Sequence, residues 1–512
     1  MNKNLKIFIP IVLTGLLGMI AFKYLEPMIE QYQKEETSDA GNIKQTIKIG
    51  VDSWVGYFPL CSKDFRQRMR SNGYLIKCID DKADYATRYS RLKKGEIQFA
   101  VGTVDSYLIN GKPLSFPGTI VTVIDESKGG DAIVAKKSSF RNLNDVKKDQ
   151  SLKIAFTANS PSEHLLSSIA VHFDVKTVLK GQYGKVETDG SEEAFQALMD
   201  DKVEIAVLWE PFVSRALAKG NYHSILSSKD TQKLIVDILI VGRKFADKEP
   251  EVVNVFLRNY YRTLKYYREN FSQLLAEVSQ DTKLSKDAAE SMLKGVSWQT
   301  LHSNGSKWFG LSVGSKMSHE YLVDTIESAV DIMQQTGKIT KHPLPDENPY
   351  IVMNRSFVES LLAGGISMGN EQDEAIAEFD ALSDLQWEQL TDVGSLKVRP
   401  ITFQSGTDDI SGEGVDEIKK LVRNLQHYPN FRIVVRGHTG TRGDSKANKK
   451  LSLNRAQAVR EFLVQKAGID KNRIRALGLG ASQPLPRKQG ESMRAYNYRL
   501  PRVEINLVSE VY

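Results

Sequence analysis

Between Thr46 and about Pro345 short apolar runs alternate with amphipathic stretches, and no other feature of the chain restricts its fold as much. "TIKIGVD", "YLIKCID", "IQFAVGT", "TIVTVID", "AIVAKK", "LKIAFT", "VEIAVLW" and "IVDILIVG" have the length and composition of strands. Between them, "ADYATRYSRLKKG" and "SEEAFQALMDD" repeat apolar residues at helical spacing. The alternation predicts an α/β fold, a parallel sheet with helices on both sides. Glu249 to Gly295 and Ser318 to Gly337 read as mostly helical, and the aromatic stripe "FLRNYYRTLKYYREN" reads as core. The proline-rich "KHPLPDENP" closes this region. From Lys397 onward β and α alternate again, ending in the strand "RVEINL".

At 512 residues the chain exceeds one ordinary domain, so two or three are expected. Its net charge is only +6, but from Leu396 to the end 22 basic residues face 11 acidic ones. A basic C-terminal domain suits an anionic polymer, whether nucleic acid, acidic lipid or an acidic cell-wall glycopeptide; a solvated cationic face is the plainer reading. The opening "MNKNLKIFIPIVLTGLLGMIAFKY" sets Lys3 and Lys6 before the apolar run Ile7 to Phe22. That run is short for a span and long for a signal-peptide core, and no small-x-small cleavage site follows it. It reads as an uncleaved N-terminal membrane helix with its lysines in the cytoplasm and the rest exported, a cleaved signal peptide being the alternative. In an exported chain a disulfide persists. If "SKDFRQRMRS" is a helix and "YLIKCID" the strand returning beside it, both cover about 15 Å. A Cys61–Cys78 bond is therefore predicted, against two buried free thiols.

Five loops, "DSWVGYFPL", "GTVDSYL", "DESKGGDA", "TANSPSEH" and "LWEPF", fall where strands end, which is where α/β sheets bind ligands. In "NSPSEH", Ser160 and Ser162 are placed to cap a helix whose free amides face the cleft. Trp54, Tyr57 and Trp209 offer flat apolar walls. At these residues the chain resembles periplasmic substrate-binding proteins of the nitrate/sulfonate/taurine and thiamine-precursor type. "WVGYFP", "SKGGDAIVAK" and "VLWEP" stand in that family's order over roughly Thr46 to Trp308. The resemblance implies a two-lobed type II periplasmic-binding-protein fold that hinges shut on a small-molecule solute and hands it to a membrane transporter. Its crossing strands are expected near Ala135 and Asp237, and Trp54, Tyr57, Thr103, Ser160 and Glu210 would line the cleft. Asp105, Asp125, Asp131 and Glu210 would make that cleft acidic, favouring an amine or a neutral polar solute; helix amides at Ser160 to Glu163 argue the other way.

Near the end, "FRIVVRGHTG" reads as a strand and turn, and "NKKLSLNRAQAVREFLVQKAG" as a helix with Leu451, Ala456, Val459 and Leu463 on one face. Arg455, on its first turns, can grip a carboxylate with two parallel hydrogen bonds. With "ITFQSGT", "VVRGHTG", "N..LS..RA", "RIRALGLG" and "RVEINL" in order, this part resembles an OmpA-like, peptidoglycan-binding domain over about Lys397 to Leu507. In that family an Asp after "GHT" and the Arg of "LS..RA" hold the ammonium and carboxylate of the peptide stem. Here Arg455 and Asn448 match, Gly440 replaces the Asp, and "LPR" leaves only Arg502 of the usual Asn-Arg-Arg. A lost charge-assisted contact is worth about 1.5–3 kcal/mol, so weaker or redirected binding of the stem is expected. Asp444 is a candidate substitute.

"GLSVG" and "GISMG" fit G-x-S-x-G, but neither follows a clear buried strand. No H-E-x-x-H, C-x-x-C or P-loop occurs, so neither an enzyme, a metal nor a cofactor is expected. The expected organisation is a membrane anchor over 1–30, a polar tether over 31–45, a two-lobed module over 46–345, a helical connector over 346–395 and the OmpA-like domain over 396–512. The function expected is that of an inner-membrane-anchored periplasmic solute-binding protein that also binds peptidoglycan, with an ABC transporter permease as a partner and no role for nucleic acid. A structural or stator-like link from membrane to cell wall is the alternative.

Overall fold

The computed structural model describes residues 43–148, 151–311, 319–364, 379–398, 401–404 and 407–509. The expected membrane helix lies outside the described residues, among which no helix is long and apolar enough to cross a membrane. Strands β1 (Gln45–Val51), β2 (Tyr74–Asp80), β3 (Phe99–Thr103) and β4 (Gly118–Ser127) begin a first lobe. The chain then leaves it to build a second from β5 (Asp131–Lys136), β6 (Lys153–Thr157), β7 (Gly184–Thr188), β8 (Ile205–Trp209) and β9 (Tyr222–Ser227). It returns with β10 (Val236–Gly242) and β11 (Val296–Trp298). The sheets run β11-β4-β10-β3-β1-β2 and β7-β6-β8-β5-β9. β1 is parallel to β2 and β3, and β6 to β7 and β8, as the βα alternation requires. The strands on either side of the crossings, β4, β5, β9 and β10, pair antiparallel.

The lobes are thus joined twice, through 128–130 and through 228–235. Ala135, expected at the first crossing, instead lies inside β5, paired with Ile205 and His223. Asp237 follows the second crossing as the second residue of β10. One buried cluster ties the crossings together. Ser228 Oγ lies 2.7 Å from Ser127 Oγ and accepts from the amides of Gly129 (2.9 Å) and Asp131 (3.1 Å).

The helices that frame the lobes are α1 (Lys63–Ser71), α2 (Tyr85–Lys94), α3 (Val104–Gly111), α4 (Pro161–Phe173), α5 (Pro250–Glu269) and α6 (Tyr321–Gln335). Ser62 caps α1, and Cys61 just before it is bonded to Cys78 of β2, with Cα atoms 6.1 Å apart. The aromatic stripe of α5 is core: Phe256, Tyr260 and Tyr267 are all buried. Helix α6 packs on both α3 of the first lobe and α4 of the second. Residues 349–363, expected as connector, belong to the first lobe: Asn354 donates to the Ile120 carbonyl, and Val352, Phe357, Val358 and Leu361 join its core.

The C-terminal part contains α7 (Gly412–Gln426), α8 (Ser445–Gln465), β12 (Thr391–Leu396), β13 (Arg432–His438), β14 (Ile474–Gly480) and β15 (Arg502–Ser509), in the order β12-β15-β13-β14. β12 lies within the stretch expected as connector. Helix α8 can lie against β13 and β14 because both strands present glycine there. A Cβ on Gly437 would stand 2.0 Å from the Ser452 carbonyl oxygen, and one on Gly478 would stand 2.6 Å from the Leu453 amide.

This domain docks on the second lobe, and the two share one apolar cluster that includes Phe173, Val175, Leu396 and Tyr428. His172 Nδ1 lies 2.6 Å from the Tyr428 hydroxyl, and the rings of His172 and His427 stack with centroids 5.5 Å apart. The amide of Gln232, in the second crossing, donates to the His427 carbonyl at 2.7 Å. Its own carbonyl, 2.8 Å from His427 Nδ1, only accepts, so that nitrogen carries the proton and Nε2 accepts from Ser328 Oγ of α6 (2.9 Å).

Candidate functional site

A cavity between the lobes lies at the ends of β1, β3 and β8, bounded by Asp52, Trp54, Tyr57, Tyr85, Thr103, Asp131, Pro161, Trp209, Ile235 and Asp237. Its free space is about 20 Å³, room for one water-sized group. Trp54, Tyr57 and Thr103, expected in the cleft, do line it. Ser160 instead lines a neighbouring cavity, also about 20 Å³, between α3, α4 and α6. There its hydroxyl donates to the Thr157 carbonyl and accepts from the Ser162 amide. Glu210 is buried, yet both its oxygens are taken by Ser214, one by the amide (3.1 Å) and one by the hydroxyl (2.7 Å).

The acids divide into a compensated and an uncompensated group. Asp52 accepts from Arg88 (3.0 Å) and from the Trp54 amide (3.0 Å), and Arg88 also bonds Asp81, so this charge is balanced beneath the cavity. Asp125 and Asp237 are cross-strand partners in β4 and β10, both buried. The Trp54 indole N–H points at both oxygens of Asp125 (3.3 and 3.4 Å), and the Tyr57 hydroxyl donates to Asp237. Burial pushes both carboxyls well above the usual range; Asp125 adds to the effect on Asp237, and Asp131 to that on Asp125. Burial also pushes Asp131 up to about 7, with Asp105 and Glu210 adding to it against the Ser127 hydroxyl, which donates at 2.6 Å. Among the described residues no lysine or arginine lines the cavity. The indole N–H of Trp209 is buried and has no hydrogen-bond partner among the described residues.

Glycine makes the Trp54 arrangement possible. A Cβ on Gly56 would fall 2.1 Å from Asp125 Oδ2, and one on Gly130, in the first crossing, would fall 2.2 Å from the Trp54 ring. Beside the neighbouring cavity, Asn110 donates to the Asn159 carbonyl (3.1 Å) and Lys338 bonds both oxygens of Glu163 (2.8 and 2.9 Å). Asp52, Tyr85 and Asp237 were not singled out as cleft residues from the sequence. The available signal for Asp237 was an acid at the start of an otherwise apolar strand, "VDILIVG".

In the C-terminal domain Arg455 lies over the Phe403 ring, 5.0 Å from its centroid, and among the described residues donates only to the Thr407 carbonyl (3.2 Å). Asn448 donates to the Arg442 carbonyl (2.9 Å) and so braces the loop before α8. Asp444 caps α8, accepting from the Ala447 amide (2.8 Å), and in this geometry serves the helix rather than the vacant acid position. A Cβ on Gly440 would meet nothing within 4 Å. Arg502 is committed to Glu504 (2.7 Å) and to the Leu500 and Gln483 carbonyls. Burial works to raise Glu504, but His438 and Arg502 prevail and hold it at about 2.

These features define a class: two α/β lobes, crossed twice by the chain, enclose a small buried cavity, and a separate four-stranded α/β domain packs behind the second lobe. Within that chain, residues 402–498 match the OmpA family. The C-terminal part is 31% identical over 115 residues to outer membrane protein Omp38 of Acinetobacter baumannii, covering 22% of this chain and 32% of that protein. It is 32% identical over 85 residues to the peptidoglycan-associated lipoprotein of Brucella melitensis, covering 17% and 50%. The chain thus spans a third to a half of the length of these relatives. The two-lobed part is similar in structure to the alkanesulfonate-binding protein SsuA of Xanthomonas axonopodis pv. citri (TM-score 0.46, 15% identity, 58% of this chain and 95% of that one). It is also similar to the periplasmic nitrate-binding protein NrtA of Synechocystis (TM-score 0.45, 14% identity, 63% and 89%).

Proposed function

We propose that the chain is a non-enzymatic solute receptor of the bacterial envelope. The two-lobed module binds a small molecule between its lobes, and the C-terminal domain holds the peptide stem of peptidoglycan through Arg455. An N-terminal anchor in the inner membrane and delivery to an ABC-type permease complete the reading. Tethering at both ends would keep the module at high local concentration near a membrane partner. The single observation that carries the proposal is the buried cavity between the lobes, walled by aromatic rings and uncompensated acids at the ends of β1, β3 and β8.

Native mass spectrometry of the exported part, purified gently, is expected to reveal a bound small molecule. Its persistent absence, together with silence in a thermal-shift screen of metabolites, would sink the receptor. A second reading, a structural link between membrane and wall, is favoured by the small free space and by α6 lying across both lobes. That reading expects no ligand and a protein docked on the two-lobed module. For the wall end, Arg455→Ala should reduce retention of the exported chain on isolated peptidoglycan roughly tenfold, from the loss of one charge-assisted contact. Equal retention would remove Arg455 from the site.

A further inference from the structure

The two lobes enclose buried carboxyls that have no cationic side chain among the described residues lining the cavity. Resting on the solute-binding reading, we propose that the cavity takes a small primary ammonium compound that also carries a hydrogen-bond-accepting oxygen. Its –NH3⁺ group lies between the carboxylates of Asp131 and Asp237, and its oxygen accepts from the Trp209 indole N–H. Three observations converge on this ligand. The lining carries acids and no cationic side chain, while Arg88 beneath it is spent on Asp52 and Asp81. Trp54, Tyr57 and Trp209 line the cavity with aromatic rings, a surface that favours a cation, while the Tyr85 ring already lies against Arg88. The Trp209 N–H is a buried donor without an acceptor, a cost that a ligand oxygen removes. The cavity as it stands leaves about 20 Å³, room for the ammonium head alone, so the lobes must part to take the rest of the ligand. Nor do the carboxylates form a metal site: among the described residues no three His, Cys, Asp or Glu side chains are grouped so as to hold a metal ion.

The same geometry couples binding to protons. Asp131 faces Asp105 and Glu210, and Asp237 faces Asp125, Asp131, Asp52 and Tyr57. Burial favours the protonated carboxyls in the empty cavity; an ammonium group displaces those protons, which leave to solvent. With burial pushing Asp131 up to about 7, affinity should rise roughly tenfold from pH 6 to pH 8.

Titration calorimetry on the exported chain, with endogenous ligand removed by partial unfolding and refolding, tests this. The probes are ethanolamine, ethylammonium, tetramethylammonium, nitrate and methanesulfonate. Ethanolamine is expected to bind with proton release, more tightly than ethylammonium, and to weaken at least tenfold in Asp131→Asn. Trp209→Phe should abolish the preference for ethanolamine over ethylammonium, a readout that a merely structural role would not produce. Asp237→Asn is the second variant should Asp131→Asn fail to fold. Binding of nitrate or methanesulfonate alone, or of tetramethylammonium alone, would overturn the ammonium assignment and leave the receptor standing. Binding of none of the five, with no endogenous ligand found, would overturn both.

Discussion

Gly440 stands where the resembled motif is expected to carry an acid, and the space around it is open. Nothing steric excludes a carboxylate there, so the departure changes chemistry and leaves the local fold alone. Gly440→Asp should therefore raise retention on peptidoglycan, by up to roughly tenfold for one restored charge-assisted contact; unchanged or lower retention would show that the loop aims elsewhere. Arg455 and Gly440 could be singled out in the sequence because motif spacing marks them. The role of Glu210 was not readable, because it depends on competition the sequence does not display: Ser214, one turn along, takes both its oxygens. Asp237 was equally hidden, since its meaning comes from Asp125 on a strand more than a hundred residues away.

At the scale of elements, the close approach of α8 to its sheet rests on glycines that motif reading finds but cannot explain. Gly437→Ala would drive a methyl group against the Ser452 carbonyl oxygen, which belongs to a helix backbone and cannot swing aside. The expected cost is about 1–3 kcal/mol, read as a lower urea midpoint for the C-terminal domain. Gly412→Ala, at the open start of α7, should leave that midpoint within a few tenths of a kcal/mol, and equal effects of the two would refute the packing argument. Strand and helix identities were readable from periodicity because each depends on a few neighbouring residues. The crossings were less so: β4 and β5 read as two apolar strands with no mark of which sheet each joins, and the change of sheet falls on the Gly129–Gly130 turn instead of on Ala135.

For the whole molecule, the docking of the C-terminal domain on the second lobe left no trace in the sequence, since it is made by side chains from segments far apart in the chain. Its histidines make it sensitive to pH. Burial lowers His427 to about 4 and carries His172 in the same direction; Lys233 and His164 also disfavour the charged form of His427, while Asp324 and the Gln232 carbonyl favour it. Below about pH 6.5 the unfolded chain takes up a proton that the packed ring refuses. The contribution is therefore whole above that pH and is lost progressively down to about 4, by up to about 3 kcal/mol for this ring. Melting temperatures from pH 7.5 to 4.5 should fall less steeply in His427→Gln than in the native chain; parallel curves would exclude the ring as the cause.

The partner of that histidine is Gln232, within the second of the two segments on which the lobes would pivot, and Asn430 holds the Lys229 carbonyl of the same segment (2.9 Å). A pull on the C-terminal domain would therefore reach this crossing as well as the face of the second lobe it rests on.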